Sequence, residues 1–323
     1  MAVIFLLPLP SGEREKVRCA SMADTAANVG QLTLPSAAAE LPVKSRSYWS
    51  TVLGRLRRDP VTLACAFILL LIFLSAIFAP LIIGADPYKT SMLHRLQAIN
   101  SKDHLLGTDE LGRDMIARLI YGGRLSLLMG TLPVIDALLV GGLLGIVAGF
   151  VGGKLNMLIM RTVDVFYAFP SVLLAIAISG ALGAGLLNSI VSLTIVFIPP
   201  VTRIAESVTT SVRNLDFVEA ARASGASSWT IIRVHVVGNV LGPIFIYATG
   251  LISVAIILAS GLSFLGLGVK PPEPEWGLML NTLRQSIWIN PVVAALPGAM
   301  IFVTSICFNL MSDGLRAAMD IKL

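Results

Sequence analysis

Long apolar stretches alternate with polar segments along the 323-residue chain. Val61–Ile83 carries no charged residue. At about 1.5 Å of rise per residue it covers a bilayer core of about 30 Å. Leu125–Gly153 is apolar except for Asp136. Val165–Thr202 runs for 38 residues without charge, too long for one crossing, and turns at Gly180-Ala181-Leu182-Gly183-Ala184-Gly185. Two further runs follow, from about His235 to Gly261 and from Pro291 to Met311. The pattern predicts an all-α membrane protein with six transmembrane helices at about 61–83, 125–153, 165–183, 186–203, 235–261 and 291–311. Pro199-Pro200 interrupts the fourth near one end, as a kink.

The polar segments give this array a direction. Sixteen of the 24 Lys and Arg fall in the tails and in the segments expected on the cytoplasmic side. Both termini are therefore expected inside. Residues 1–50 read as a cytoplasmic tail without stable structure, and residues 51–323 hold the membrane domain. Met1–Pro10 is too short to span and lacks the basic start of a signal peptide. Ser11–Val43 is polar and Ala-rich, and Met22 is an alternative start. Lys154 and Arg161 flank a short inner loop, in which Asp164 is placed to pair with Arg161.

The inner segment 213–233 has more local order. Asp216 can cap a helix, and Glu219 lies three residues on, the spacing of a capping box. On that helix Ala220, Ala221, Ser224 and Gly225 share one face that carries almost no side chain. Gly225 ends it. Ser227-Ser228-Trp229 leads into a second short amphipathic piece. A helix-turn-helix with a smooth face, held between spans, reads as a docking plug.

Composition sharpens the reading. The chain is 55% hydrophobic and 13% charged, with mean hydropathy +0.83. Soluble domains run near 25% charged. The net charge of +5 suits inner loops touching anionic membrane lipid. No basic stripe with interleaved aromatics suggests nucleic acid. Cys19, Cys65 and Cys307 imply no disulfide framework. His94, His104 and His235 are scattered, so no metal set forms, and no cofactor is expected. The lone Gly153-Lys154 pair lacks the other residues of a phosphate-binding loop. The chain is therefore not expected to hydrolyse ATP or act as an enzyme.

Two features inside the spans stand out. Asp136 is a carboxylate that costs at least about 2.5 kcal/mol at the bilayer centre, so it must face protein or water. It is a candidate pathway residue, or alternatively a hydrogen-bonded packing group. Gly141, Gly145, Gly149 and Gly153 recur every four residues and make a close-packing face. That face suits either packing within the subunit or a subunit interface.

Several stretches resemble one family. Glu219-Ala220-Ala221, three residues, then Gly225 resembles the "EAA loop" of membrane subunits in binding-protein-dependent ABC importers. The match departs at Val237-Gly238, where the family usually has Leu-Pro. Gly107-Thr108-Asp109-Glu110-Leu111-Gly112-Arg113-Asp114 is similar to a stretch of the C-type subunit of peptide and nickel importers. So are Phe166-Tyr167-Ala168-Phe169-Pro170-Ser171, Leu262 through Gly277, and Phe308-Asn309-Leu310.

The resemblance covers roughly residues 50–323. It implies a permease subunit of the bacterial inner membrane, with the 213–233 loop as the coupling element to a separate ATPase. Glu219 would pair with a basic ATPase residue, and Gly225 would permit the turn. The implied partners are a homologous second permease, two ATP-binding subunits and an extracytoplasmic solute-binding protein. The expected cargo is di- or oligopeptide. The alternatives are nickel or another small solute, or a stand-alone secondary transporter supported only by Asp136 and Pro199-Pro200.

Overall fold

The computed structural model describes residues 48–101 and 104–319. Expectations for the first 47 residues, Cys19 and Met22 among them, lie outside the described residues. Residues 49–323 form one compact unit. The regular elements among the described residues are all helices, with two isolated bridges, Ser101 with His104 and Thr108 with Asp114.

After α1 (Tyr48–Leu56), Asp59 caps α2 (Pro60–Ile77) by accepting from the Val61 amide at 3.1 Å, with Pro60 at the first helical position. The helix stops at Phe78, two residues ahead of Pro80, and a single turn, α3 (Ala79–Ile82), follows. The predicted first span thus breaks before its end. Arg124 closes that end, donating to the carbonyls of Ala76 (2.6 Å) and Ile77 (2.8 Å).

The next helix, α4 (Met115–Val151), begins ten residues before the predicted boundary. Asp114 caps it through the Ala117 amide at 2.9 Å. Hydropathy placed the start at Leu125 because Arg118 and Arg124 lie upstream. Arg124 donates to protein carbonyls and Arg118 meets both carbonyls and the Asp109 carboxylate, so they do not stop the helix. Its 37 residues make a rod of about 55 Å.

The predicted third span is not one helix. The pair α5 (Gly153–Tyr167) and α6 (Ser171–Leu182) meet at an 87° bend. Pro170 enforces the break, since it cannot continue a helix from Phe169. Asp164 pairs with Arg203 at 2.5 Å rather than with Arg161. Five described helices are long and apolar enough to cross a membrane, or six if the bent pair counts as one crossing.

The fourth span is a single helix. α7 (Leu186–Arg213) runs unbroken through Pro199-Pro200. Its packing against α4 supplies the reason. A Cβ on Gly141 would lie 2.7 Å from the Ile198 carbonyl, and one on Gly149 2.7 Å from that of Glu206. One on Gly145 would collide with the Thr202 carbonyl. These three glycines let the two backbones touch over two turns, which clamps the proline-bearing helix. Gly153 does not share this face: it starts α5 with φ +56° and has open space around it.

A short helix, α8 (Asp216–Ala223), and a turn, α9 (Ser228–Ile231), precede α10 (Val237–Phe264). The end opposite α8 carries α11 (Trp276–Leu283), and α12 (Pro291–Met319) completes the array. One apolar core joins α4, α6, α7 and α10 and reaches Val218 on α8. A second gathers α2, α4, α11 and α12 around the fully buried Trp276.

Candidate functional site

The segment 214–236 is a knob held from three sides. Arg213 ends α7 by donating to the carbonyls of Gly149 (3.2 Å) and Phe150 (3.0 Å), where the dipole of α4 favours a cation. Val218 is fully buried, and Ala221 and Ala226 lean on the same core. Arg222 lies over the Phe150 ring, 5.6 Å from its centre.

The helix starts differently from expectation. The cap position is Leu215, in an extended conformation, and no side chain caps the helix. Asp216 is the first helical residue, so the capping box with Glu219 does not form. Both acids still lie in the first turn, where the helix dipole favours them. The far end closes firmly. The Gly225 amide donates to the Arg222 carbonyl (3.0 Å) and the Ala226 amide to that of Ala221 (3.1 Å). With Gly225 at φ +84°, this is a Schellman ending.

Ala220, Ser224 and Gly225 are exposed, whereas Ala221 turns halfway toward the core. The smooth face is therefore narrower than the sequence spacing suggests. Large apolar side chains flank it: Leu215, Phe217 and Val234 are exposed, and Trp229 is 71% exposed. Sequence reasoning passed over these. The signal was there, since a Trp in a Ser-rich polar loop has no core of its own to fill.

Beyond the turn, Ser227 caps α9 through the Thr230 amide at 3.3 Å. The chain then continues through a π-helical turn, Ile232–Val236, directly into α10. The knob's second piece is thus the end of a span, not a separate helix. A π turn is a local defect of the kind found at functional sites.

At the opposite end, the connector between α3 and α4 folds over Asp109. Its Oδ2 meets Arg113 Nε at 2.6 Å and Arg118 Nε at 3.3 Å. Oδ1 accepts from the amides of Leu111 and Arg113, both at 2.9 Å. Arg118 also donates to the carbonyls of Pro87 (3.2 Å) and Pro272 (3.4 Å), tying the connector to the Pro-rich strap before α11.

Glu275 caps α11. It accepts from the amides of Gly277 (2.9 Å) and Leu278 (2.8 Å) and from the Ser126 hydroxyl (3.1 Å). Burial pushes its carboxyl above the ordinary range, and these hydrogen bonds only partly offset that. Burial, with the Glu273 carboxylate beside it, likewise holds the Tyr88 phenol above its usual value. The raised value at Glu275 means that the folded state holds the proton more tightly than the unfolded one. Its stabilising share is full below the ordinary carboxylate value of 4.5 and is lost as pH rises through the raised value. Glu275→Gln should lower the melting temperature, because one amide loses its acceptor, and should flatten this pH dependence. A thermal-shift series in buffers from acid to neutral pH checks both.

Two of the clefts on the spans bear on the sequence candidates. One, of about 310 Å³, lies at the α5–α6 bend and is lined by Phe166, Tyr167 and Phe169 with Phe197, Pro199 and Leu251. Arg203 sits over the Tyr167 ring, 4.5 Å from its centre, while pairing with Asp164. The other, of about 260 Å³, holds Asp136 between α4 and α7. The structure thus separates the sequence candidates. Asp216 through Gly225 lie on the knob, Gly141, Gly145 and Gly149 between two spans, and Asp136 in a cleft of its own.

Residues 141–323 match the family model described as the binding-protein-dependent transport system inner membrane component. Residues 47–98 match the N-terminal transmembrane domain of oligopeptide transport permease C. The chain belongs to this permease family. Among its relatives is the glutathione transport system permease protein GsiD of Pectobacterium atrosepticum, 39% identical over 86% of this chain and 92% of that protein. The dipeptide transport system permease protein DppC of Alkalihalophilus pseudofirmus is 40% identical over 86% and 91%. The di/tripeptide transport system permease protein DppC of Pseudomonas aeruginosa is 43% identical over 80% and 86%. The permease also shares its fold with the MetNI methionine ABC transporter, solved in inward-facing conformations. There the TM-score is 0.53 at 19% identity, over 63% of this chain and 97% of that one.

Proposed function

We propose that this permease is one membrane-spanning half of an ATP-driven peptide importer. It crosses the membrane six times, the bent α5–α6 pair completing the third crossing, with both termini in the cytoplasm. A homologous permease supplies the other half of the passage, two ATP-binding subunits supply the energy, and a solute-binding protein delivers cargo to the outer face. Peptide is preferred over nickel because the relatives above are named for glutathione, dipeptides and di/tripeptides.

The knob carries this reading. It is an exposed helix end, rigidly closed at Gly225, whose two sides run straight into spans α7 and α10. A partner that grips it moves both spans together. Differential grip in the two nucleotide states is what an ATPase needs to shift the passage between its two openings. Asp216, Glu219, Ala220, Ala221, Ser224 and Gly225 form the coupling contact, with Trp229 and Phe217 as apolar anchors. Asp136 faces the passage.

Co-purification tests the proposal. The tagged permease, expressed with its neighbouring transport subunits, should bring down an ATP-binding subunit. Trp229→Glu should cut that recovery about tenfold or more, as expected for an interface anchor. A preparation of this chain alone that transports solute at a useful rate would overturn the reading.

A further inference from the structure

Asp136 lies near the middle of α4, 21 residues from Met115 and 15 from Val151. Its side chain is half-buried. Among the described residues nothing bonds to its carboxyl. The other walls of its cleft are Leu139, Val140, Val191, Thr194 and Ile195, so no cation lines it.

Thr194 is unusual in its own right. Thr131 and Thr202 bond the carbonyls four residues back, those of Leu127 (2.7 Å) and Ile198 (2.8 Å). Thr194 makes no such bond, and its Oγ1 is buried without any partner. The cleft therefore offers one anionic acceptor within aliphatic walls and, behind its α7 wall, a neutral hydroxyl that a turn of the Thr194 side chain would bring to it. Further along, from Gly141 to Gly145, α4 and α7 close against each other.

We propose that Asp136 and Thr194 form a recognition point for a primary ammonium group, the free N-terminus of a peptide in transit. This rests on the peptide-importer reading. An ammonium carries three donors on a tetrahedral head, enough for the carboxylate and for a Thr194 hydroxyl turned toward it. A guanidinium demands both oxygens of one carboxylate in a plane and leaves Thr194 idle. The carboxylate in turn needs a cation or water to remain at this depth. The half-open cleft keeps the contact weak enough for release.

The test uses the assembled transporter in lipid nanodiscs with Val140→Cys. Cys65 and Cys307 are buried, and with Cys19→Ser added the background from this chain is low. A water-soluble cationic methanethiosulfonate reagent should modify the new thiol at position 140. Dialanine should slow this about tenfold, the worth of one hydrogen-bonded charge contact. N-acetyl-dialanine should not slow it, and Asp136→Asn in the same background should remove the protection. Nα-acetyl-lysine amide separates the two sources of ammonium: protection equal to that of dialanine would overturn the assignment to the N-terminus. An unreactive thiol, as under lipid or a packed subunit, would overturn the site. So would protection that survives Asp136→Asn. Binding-protein-stimulated ATP hydrolysis is read on the same sample. Normal stimulation without protection sinks the ammonium site alone, whereas no stimulation in the unmodified complex sinks the importer reading and the site with it.

Discussion

Gly225→Asp is expected to leave the permease folded in the membrane and to abolish uptake. The reasoning is local. A Cβ at Gly225 meets nothing within 4 Å, so the substitution causes no clash inside the chain. Its internal cost is that of a left-handed conformation, φ +84°, for a residue with a side chain, about 1 kcal/mol. That is too little to unfold a unit with cores of this size. The outward effect is larger. The new carboxylate stands at the tip of the knob beside exposed Ala220 and Ser224, on the face proposed to meet the ATPase. A buried unpaired charge at such a contact costs about 3–5 kcal/mol, or a hundredfold and more in coupling.

Gly225→Ala separates the two costs, because it carries the backbone strain without the charge. It should keep most of the transport rate. Uptake of labelled dipeptide, with membrane-fraction blots for both variants, decides the matter. Normal uptake by the Asp variant would show that the knob is not gripped at its tip. Equal loss in both variants would locate the effect in the backbone turn instead.

The sequence made the knob visible because its chemistry is local. Glu219 to Gly225 lie within one helix and one turn, and Gly225 is needed for a conformation that only its own neighbours define. What it hid depends on distant residues. Leu215 rather than Asp216 occupies the cap position because Val218 must reach the core, and that fixes the rotation of α8. The early start of α4 depends on carbonyls more than thirty residues away that absorb Arg118 and Arg124. Pro199-Pro200 stays inside one helix because the glycine row of α4 packs closely against it. The 87° bend was marked locally by Phe169-Pro170, yet the long uncharged run hid it. Periodicity and hydropathy find spans; they do not find where protein replaces lipid around a polar side chain.

Asp109→Ala should be the most damaging single change at the end of the array opposite the knob, the face proposed to be outer. Asp109 is 2% exposed, Arg113 4% and Arg118 2%, so the carboxylate is the counter-charge for two guanidinium groups shut away from water. Removing it leaves Arg113 with only Glu110, at 3.2 Å, and Arg118 with neutral carbonyls. Breaking a buried pair by deleting one partner costs about 3–5 kcal/mol. Two backbone amides, those of Leu111 and Arg113, lose their acceptor as well. The connector would loosen from the strap at Pro272, and with it the seating of Glu275 and Trp276 over the outer end of α4. A drop of many degrees in the melting temperature of the detergent-purified protein is the expected outcome, together with protease cleavage between Ile83 and Asp114. Asp109→Asn keeps an acceptor for the amides but not the charge, and should fall between the two. If Asp109→Ala melts like the parent protein, the outer connector is held by its apolar contacts around Trp276, and the buried ion cluster contributes little to its stability.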